Sequence, residues 1–170
     1  MHSKTVLVTT MALLGGICFG AALATAQSGS LRQQLVGTWT NVSTYNLMPD
    51  GKRIEPQGPN GKGTLMMDAA GHFAWILIKP DIPKFASNNR QTGTDAENRA
   101  VVQGALAYYG TYDLDASGKS LLMRIEYSSF ANFNGQQQRR EIKLENDELT
   151  VINSTGASGG TAYVIWKRVK

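Results

Sequence analysis

The sequence predicts a mainly β domain, an antiparallel sandwich or barrel of about eight strands with one helix inserted between strands three and four. Three observations carry this prediction. Short β-rich runs recur along the chain, turn residues separate them at the spacing of an antiparallel meander, and one capping motif precedes the single long helical pattern. The predicted strands are residues 37–42, 63–67, 72–78, 110–114, 121–127, 136–144, 149–153 and 163–169.

The first 26 residues predict a secretory signal peptide. Lys4 precedes a long apolar stretch, and the small residues Ala24 and Ala26 stand three and one positions before Gln27. A retained membrane anchor is the alternative, because the apolar run approaches the roughly 20 residues that span a bilayer. We therefore expect a signal peptide at 1–26 and one domain at 27–170, located in the periplasm or secreted, with no stable membrane insertion after cleavage.

The composition that remains after cleavage excludes several kinds of site. Cys18 is the single cysteine and lies in the predicted leader, so thiolate chemistry, disulfides and zinc–thiolate sites are excluded from the mature chain. His72 is then the only histidine, which excludes a metal site with two imidazoles. Loss of Lys4 lowers the net charge from +4 to +3, and no long basic run indicates nucleic-acid binding. We expect no cofactor, metal or nucleic-acid partner.

The single long helix is predicted by a capping box. Thr94 and Glu97 have the spacing at which a hydroxyl and a carboxylate satisfy each other's backbone amides, and an apolar period follows from Asp95 to about Ala107. The segments before it are irregular. Pro80 and Pro83 prevent regular strand pairing between residues 79 and 94, and residues 49–63 are rich in glycine and proline.

A trial register of the later strands separates apolar from charged side chains. In this register the apolar groups share one face, and opposite charges pair across neighbouring strands on the other. The inner pairs are Leu114–Leu121, Ile125–Leu144 and Leu144–Leu149, and the outer pairs are Arg124–Glu145 and Glu126–Lys143.

The same register places Arg140 and Gln138 on the inner face. A guanidinium there is costly unless it is hydrogen-bonded or hydrated. Two interpretations remain open. Arg140 lies at the rim of the barrel, in water or bonded to backbone carbonyls, or it anchors a carboxylate or carbonyl of an otherwise apolar ligand through its planar fork of donors.

Three tyrosines fall near one another in this register: Tyr108, Tyr112 and Tyr127. A tyrosine combines an apolar ring with a hydroxyl that needs a partner. The three therefore form either a hydrogen-bonded layer of the core or the polar part of a ligand pocket.

The orientation of the strand at residues 72–78 is left open by the sequence, because both of its faces are apolar. Phe73, Trp75 and Leu77 make the heavier face, and we favour them as lining of the interior. His72 begins this strand without an evident carboxylate to orient it as a general base. No catalytic residue is assigned.

The segment Gly37-Thr38-Trp39 resembles the Gly-x-Trp motif of lipocalins and other calycins, and the mature chain as a whole resembles the bacterial and fungal lipocalin-like domain family. That resemblance implies an eight-stranded barrel with an interior pocket and a basic residue, here Arg168, covering Trp39. It brings no catalytic signature. The sequence departs from the family pattern at Phe133, where a tryptophan is expected. Further matching segments are Leu35-Val36, Gly63-x-Leu65, Lys79-Pro80-Asp81, residues 107–112, Glu126-x-Ser128-x-Phe130, Arg140 with Leu144 and Leu149, and Trp166-Lys167-Arg168.

Three functions fit these features. The first is an exported protein that binds a small hydrophobic molecule, with or without a carboxylate or carbonyl, inside the barrel. The second is a cofactor-free isomerase or cyclase in which a tyrosine or Arg140 polarises a carbonyl in the same cavity. The third is an envelope protein that acts through its surface and holds no ligand. We favour the first, with the candidate ligand contacts Arg140, Tyr108, Tyr112, Tyr127, Trp75, Phe73 and Gln138.

Overall fold

The computed structural model describes residues 31–170, so the predicted signal peptide lies outside the described residues. Residues 31–35 are helical and lead into the strands. Within residues 31–170, no helix has the length and apolar composition needed to cross a bilayer. The elements that follow are β1 (Gly37–Leu47), β2 (Arg53–Ile54), β3 (Lys62–Met67), β4 (His72–Ile78), α1 (Asp95–Gly104), β5 (Ala105–Leu114), β6 (Ser120–Ser128), a 3-10 turn (Ala131–Phe133), β7 (Gln137–Glu145), β8 (Glu148–Asn153) and β9 (Thr161–Arg168).

Eight of these strands close into an antiparallel barrel. Strands β3 to β9 pair in chain order, and β1 pairs with both β3 and β9 and so joins the two ends of the sheet. The remaining strand, β2, is two residues long and pairs with the end of β1. The predicted mainly β, eight-stranded barrel is confirmed, and β2 is an addition to it.

Strand β1 is longer than predicted because a bulge interrupts its alternation. The register against β9 shifts between Asn41 and Ser43, which leaves Val42 as the extra residue. Before the bulge the inward side chain is that of Trp39, and after it the buried side chains are those of Thr44 and Asn46. An apolar pattern therefore ends at Val42 although the strand continues, and the continuation brings polar groups into the barrel.

One end of the barrel is closed around Trp39. Its indole N–H donates to the carbonyl of Leu35 at 3.0 Å. The guanidinium carbon of Arg168 lies 4.1 Å from the centre of the Trp39 ring, and Arg168 Nη1 donates to the carbonyl of Val36 at 3.0 Å. The basic cover that the family resemblance implied is confirmed.

The orientation of β4 is the one favoured from the sequence. Phe73, Trp75 and Leu77 are buried, whereas Ile78 is 42% exposed on the outer wall. Trp75 meets Trp166 edge to face, with ring centroids 4.8 Å apart. Aromatic rings therefore fill much of the space between the strands.

The predicted register between β6 and β7 is wrong. Arg124 faces Gln137 rather than Glu145, because the 3-10 turn Ala131–Phe133 and Gly135, with φ +74°, close the connection earlier. The outer charge pairs Arg124–Glu145 and Glu126–Lys143 and the inner pair Ile125–Leu144 are therefore absent. The observed register differs from the predicted one by an even number of residues, so the same side chains of β7 point into the barrel. The pairs Leu114–Leu121 and Leu144–Leu149 are confirmed.

Helix α1 lies between β4 and β5 and begins at the predicted capping box, in which Thr94 and Glu97 bond each other's backbone amides. It ends at Gly104, earlier than the predicted end near Ala107. Residues 105–107 pair instead with residues 76–78 of β4. A Cβ at Gly104 would lie 2.8 Å from Ile82, so a glycine is needed where the chain leaves α1 and enters β5 close against Ile82.

Candidate ligand-binding site

Arg140 is the charged side chain at the centre of the site. Alternate side chains of β7 turn toward the barrel interior, and Arg140 belongs to this row together with Ile142. It is 3% exposed. The predicted inward orientation is confirmed. Its hydrogen-bond partners are side chains inside the barrel, which excludes the solvated rim position that the sequence left open.

The guanidinium of Arg140 is only partly satisfied by the protein. Nη1 donates to the Tyr108 hydroxyl at 2.6 Å, and Nε and Nη2 donate to Gln138 Oε1 at 3.2 and 2.5 Å. A guanidinium carries five N–H donors, so two have no partner within residues 31–170. None of the ion pairs in this part of the chain includes Arg140. The buried positive charge therefore has no carboxylate counterpart there.

Two aromatic rings hold the guanidinium in place. Trp75 of β4 and Tyr108 of β5 are paired residues on neighbouring strands, and their stacked rings have centroids 5.6 Å apart. The guanidinium carbon lies 5.0 Å from the Trp75 centroid and 5.2 Å from that of Tyr108. Burial raises the pKa of Tyr108 to about 12, and the neighbouring positive charge opposes that rise only partly. Tyr108 is therefore a neutral phenol at physiological pH.

Arg140 borders an internal cavity of about 50 Å³. Trp75, Tyr108, Leu77 and Val151 are among its other walls. One water molecule takes a share of about 30 Å³ in the liquid, and pockets for whole small molecules run to roughly 300–1,000 Å³. The cavity therefore has room for a polar head group and is too small for a whole small molecule.

Polar side chains at the mouth of the cavity come from segments that the sequence analysis did not select. Thr44 and Asn46 of β1 and Asn153 of β8 are buried, and Asn46 donates to the carbonyl of Gly159 at 2.5 Å. Gln57, from the loop after β2, is 6% exposed. Asn46 and Thr44 are two residues apart, which is the one sequence signal that they share a face of a strand.

Two buried polar atoms near the cavity lack partners. Gln57 Oε1 and Trp75 Nε1 make no hydrogen bond within the described part of the chain, and both residues line the cavity. Buried polar groups in proteins are normally paired, and an unpaired one costs about 1–3 kcal/mol. Side chains that line the cavity thus carry unpaired hydrogen-bonding groups of both kinds, an N–H donor on Trp75 and an acceptor oxygen on Gln57.

A larger depression of about 610 Å³, here named the outer cup, lies beside the cavity. Helix α1 supplies Val101 and Val102, the start of β5 supplies Leu106, and the loop after β6 supplies Phe130. The outer cup and the cavity share five wall residues. These are Pro56, Gln57, Leu106, Ala157 and Ser158.

The structure brings several of the predicted ligand contacts together. Trp75 and Tyr108 line the cavity with Arg140. Gln138 lies beside Arg140 as its hydrogen-bond acceptor. Phe73 stands behind Tyr108, with ring centroids 5.9 Å apart.

Two of the predicted tyrosines lie elsewhere. Tyr112 is buried but donates its hydroxyl to the carbonyl of Asp68 at 2.8 Å, and it is not among the cavity walls. Tyr127 is 65% exposed on the outer wall, so its predicted inward orientation is wrong. The cause is a bulge: Gly110 faces Ile125 but Tyr109 faces Tyr127, which leaves Glu126 as an extra residue and reverses the faces beyond it.

His72 has a carboxylate partner that the sequence analysis missed. Its Nδ1 lies 2.9 Å from Asp68 Oδ2, four residues earlier across the β3–β4 turn. Hydrogen bonds from His72 hold the pKa of Asp68 below its ordinary value. Both side chains are exposed outside the barrel, so the pair does not contribute to the cavity.

The family assignment follows from a match that spans almost all of the barrel. Residues 36–169 match the family model described as a lipocalin-like domain. The chain belongs to the lipocalin-like domain family. This establishes the resemblance first indicated by the motifs around Trp39 and Trp166.

This lipocalin-like domain is distantly similar to a curated carrier protein and to solved structures. The 4'-hydroxy-3'-methoxypropiophenone carrier protein ppsC of Aspergillus oryzae is 23% identical in an alignment of 103 residues that covers 55% of this chain and 93% of that protein. The wild-type fluorescent protein UnaG has a crystal structure that aligns with a TM-score of 0.38 at 14% identity, over 81% of this chain and 98% of that one. A UnaG single-site mutant aligns with a TM-score of 0.39 at 14% identity, over 81% of this chain and 97% of its own.

Proposed function

We propose that this lipocalin-like domain binds a small hydrophobic molecule whose polar end, a carboxylate or a carbonyl, is held by Arg140. The observation that carries the proposal is the guanidinium itself. It is buried, borders a cavity, retains two unpartnered N–H donors and has no carboxylate partner within residues 31–170. A ligand oxygen in the cavity would satisfy those donors.

The surroundings of that charge favour an anionic ligand. A buried ion without a counterion destabilises a fold, and hydrogen bonds and ring faces compensate it only in part. Hydrogen bonds to a charged group contribute about 1.5–3 kcal/mol each, more than neutral ones. A ligand carboxylate therefore gains more at this position than an alcohol or an alkane of the same size.

The Aspergillus relative supports the class of function. Its name describes a carrier whose cargo is a propiophenone, which is an aromatic ketone. At 23% identity the relative supports carriage of a small hydrophobic molecule and does not identify the cargo of this chain.

We also propose that the domain acts in the periplasm or outside the cell, after cleavage behind Ala26. The support is the sequence pattern at residues 1–26. An intact mass of the exported protein that begins at Gln27 is the expected result. A mass that retains the apolar stretch would favour the membrane anchor.

Thermal stabilisation by a simple apolar acid tests the proposed function. We expect decanoic acid to raise the melting temperature of the wild-type protein, since a ligand at 100 times its Kd adds about 2.7 kcal/mol of stability. In Arg140→Met this increment should fall by at least half, because the variant keeps the apolar wall and removes the donors. Native mass spectrometry of the purified protein, searched for a retained small molecule, complements the measurement.

Arg124→Met is the matched control for that experiment. Arg124 is an exposed arginine on β6, so its replacement removes the same charge from outside the barrel. It should leave the stabilisation by decanoic acid unchanged. Equal stabilisation of wild type and Arg140→Met would remove Arg140 from the binding site.

A second candidate is a protein that acts through its surface without a ligand. The volume of the cavity, about 50 Å³, favours it, because a barrel that fills its own interior has little space to enclose cargo. Absence of stabilisation by every apolar acid, aldehyde and ketone tried would make this candidate the better one.

A further inference from the structure

We infer that the ligand is elongated and amphipathic, with its polar head on Arg140 inside the barrel and its apolar body outside, in the outer cup beside helix α1. This inference rests on the proposed function and adds a second subsite to it. It assigns a binding role to Val101, Val102 and Phe130, which lie on segments outside the barrel strands.

The volumes of the cavity and the outer cup indicate which part of the ligand each can hold. An apolar cavity of about 150 Å³ can hold a benzene ring, and the cavity beside Arg140 measures about 50 Å³. The outer cup, at about 610 Å³, lies within the range of small-molecule pockets. A carboxylate or carbonyl group therefore fits beside Arg140, and the hydrocarbon attached to it must continue into the outer cup.

The side chains of the outer cup suit an apolar body. Val102 is 79% exposed, Phe130 39% and Val101 36%, and Ile54 and Leu106 complete an apolar lining around them. Apolar side chains gathered in one concave, exposed region mark a binding surface more often than scattered ones do. The lining carries one charged residue, Glu55, whose carboxylate is paired with Arg53 at 3.0 Å.

The two spaces lie next to each other. Pro56, Gln57, Leu106, Ala157 and Ser158 border both, so a ligand that touches Arg140 would pass between these residues to reach the outer cup. The opposite orientation, with the apolar body inward, would leave two N–H donors of Arg140 and Gln57 Oε1 buried without partners. The chemistry of the walls thus favours one direction of entry.

A chain-length series tests the inference. Isothermal titration calorimetry would use unbranched monocarboxylic acids from butanoic to dodecanoic acid with the wild-type protein. We expect affinity to rise by about twofold to fourfold for each added methylene, because each buried methylene contributes about 0.8 kcal/mol when fully covered. Val102→Asp should weaken dodecanoic acid at least tenfold and leave butanoic acid within about twofold.

Leu122→Asp is the matched control. Leu122 is 45% exposed on β6 and is not among the walls of the outer cup. Its replacement exchanges an exposed apolar side chain for a carboxylate, as Val102→Asp does. It should leave the whole series unchanged.

Two results would overturn the inference and keep the proposed function. One is an affinity that stops rising after butanoic acid, and the other is a Val102→Asp variant that binds dodecanoic acid as the wild-type protein does. In both cases Arg140→Met still weakens the binding of every acid. An affinity unchanged in Arg140→Met would overturn the proposed function, and binding of none of the acids would overturn both. A Val102→Asp variant with wild-type acid binding would leave the outer cup to a protein partner.

Discussion

Among single residues, Arg140 is the one on which the proposed function depends, and burial of its charge costs the fold free energy. Arg140 occupies a position on β7 that an apolar side chain would fill without desolvating a charge. Its partners are a neutral phenol, an amide oxygen and two ring faces. Residues that violate the rules of core packing in this way are commonly found at functional sites.

The phenol beside Arg140 predicts a specific alkaline destabilisation. The pKa of Tyr108 is raised from 10.0 to about 12 by burial, so above pH 10 the unfolded chain loses this proton while the folded protein keeps it. Stability from this group is complete below pH 10 and is lost as pH rises toward 12, by up to about 1.4 kcal/mol per pH unit. Urea unfolding from pH 9 to 11.5 should show a smaller alkaline loss in Tyr108→Phe than in wild type.

Tyr127→Phe controls for general alkaline effects, because Tyr127 lies on the outer wall. It should reproduce the wild-type alkaline loss. Parallel curves for wild type and Tyr108→Phe would show that the Tyr108 hydroxyl is not held in its buried, neutral form.

At the scale of elements, helix α1 is positioned by its N-terminal cap. Backbone N–H groups of Ala86 and Thr94 donate to the Glu97 carboxylate at 2.8 and 2.7 Å and hold its pKa below the ordinary value. The cap is therefore complete at neutral pH and is lost as pH falls through that lowered pKa. Since α1 forms a wall of the outer cup, the cap also orders the proposed second subsite.

Removal of the cap should loosen the helix more than the barrel. Thr94→Ala deletes the hydroxyl that accepts from the Glu97 amide, and we expect a loss of about 1 kcal/mol in stability of the helix. Hydrogen exchange should quicken for amides of α1 and stay unchanged in β6 and β7. Thr92→Ala, an exposed threonine outside the helix, is the control, and equal protection of α1 in both variants would contradict the role of the cap.

Elements also show where sequence reasoning was sufficient and where it failed. The capping box and the Leu114–Leu121 hairpin follow from contacts close in the chain, and both are present. Two bulges, at Val42 and Glu126, each exchange the faces of a strand, and the apolar pattern does not show that the strand continues beyond them with its faces exchanged. Tyr127 was misplaced for that reason.

At the scale of the whole molecule, the barrel was predictable because alternation and turn spacing repeat along the chain. The site was predictable only in its centre. Arg140 lies on a strand whose faces the trial register assigns, and Trp75 lies on the heavier face of the strand at residues 72–78. Tyr108 precedes the predicted strand at residues 110–114 and was selected through its place in the same trial register. Gln57 and the outer cup depend on where loops and α1 settle against the barrel mouth, which is decided by contacts distant in sequence.

The size of the cavity is also a property of the whole barrel. Three tryptophans are fully buried, and Tyr108 packs against Phe73, Trp75 and Phe133. Such rings fill an eight-stranded barrel, whose interior is only wide enough for side chains or one small ligand. The volume available to a ligand is therefore concentrated at the mouth.

Carbon NMR measures directly whether Arg140 contacts the negative end of the ligand. Decanoic acid labelled with carbon-13 at its carboxyl group would be titrated with pH while bound to the wild-type protein and to Arg140→Met. The account predicts that the pKa of the bound acid lies below its value in water for wild type, because the guanidinium stabilises the carboxylate, and above it for Arg140→Met, because burial alone favours the neutral acid. The same pKa in both proteins would contradict the account.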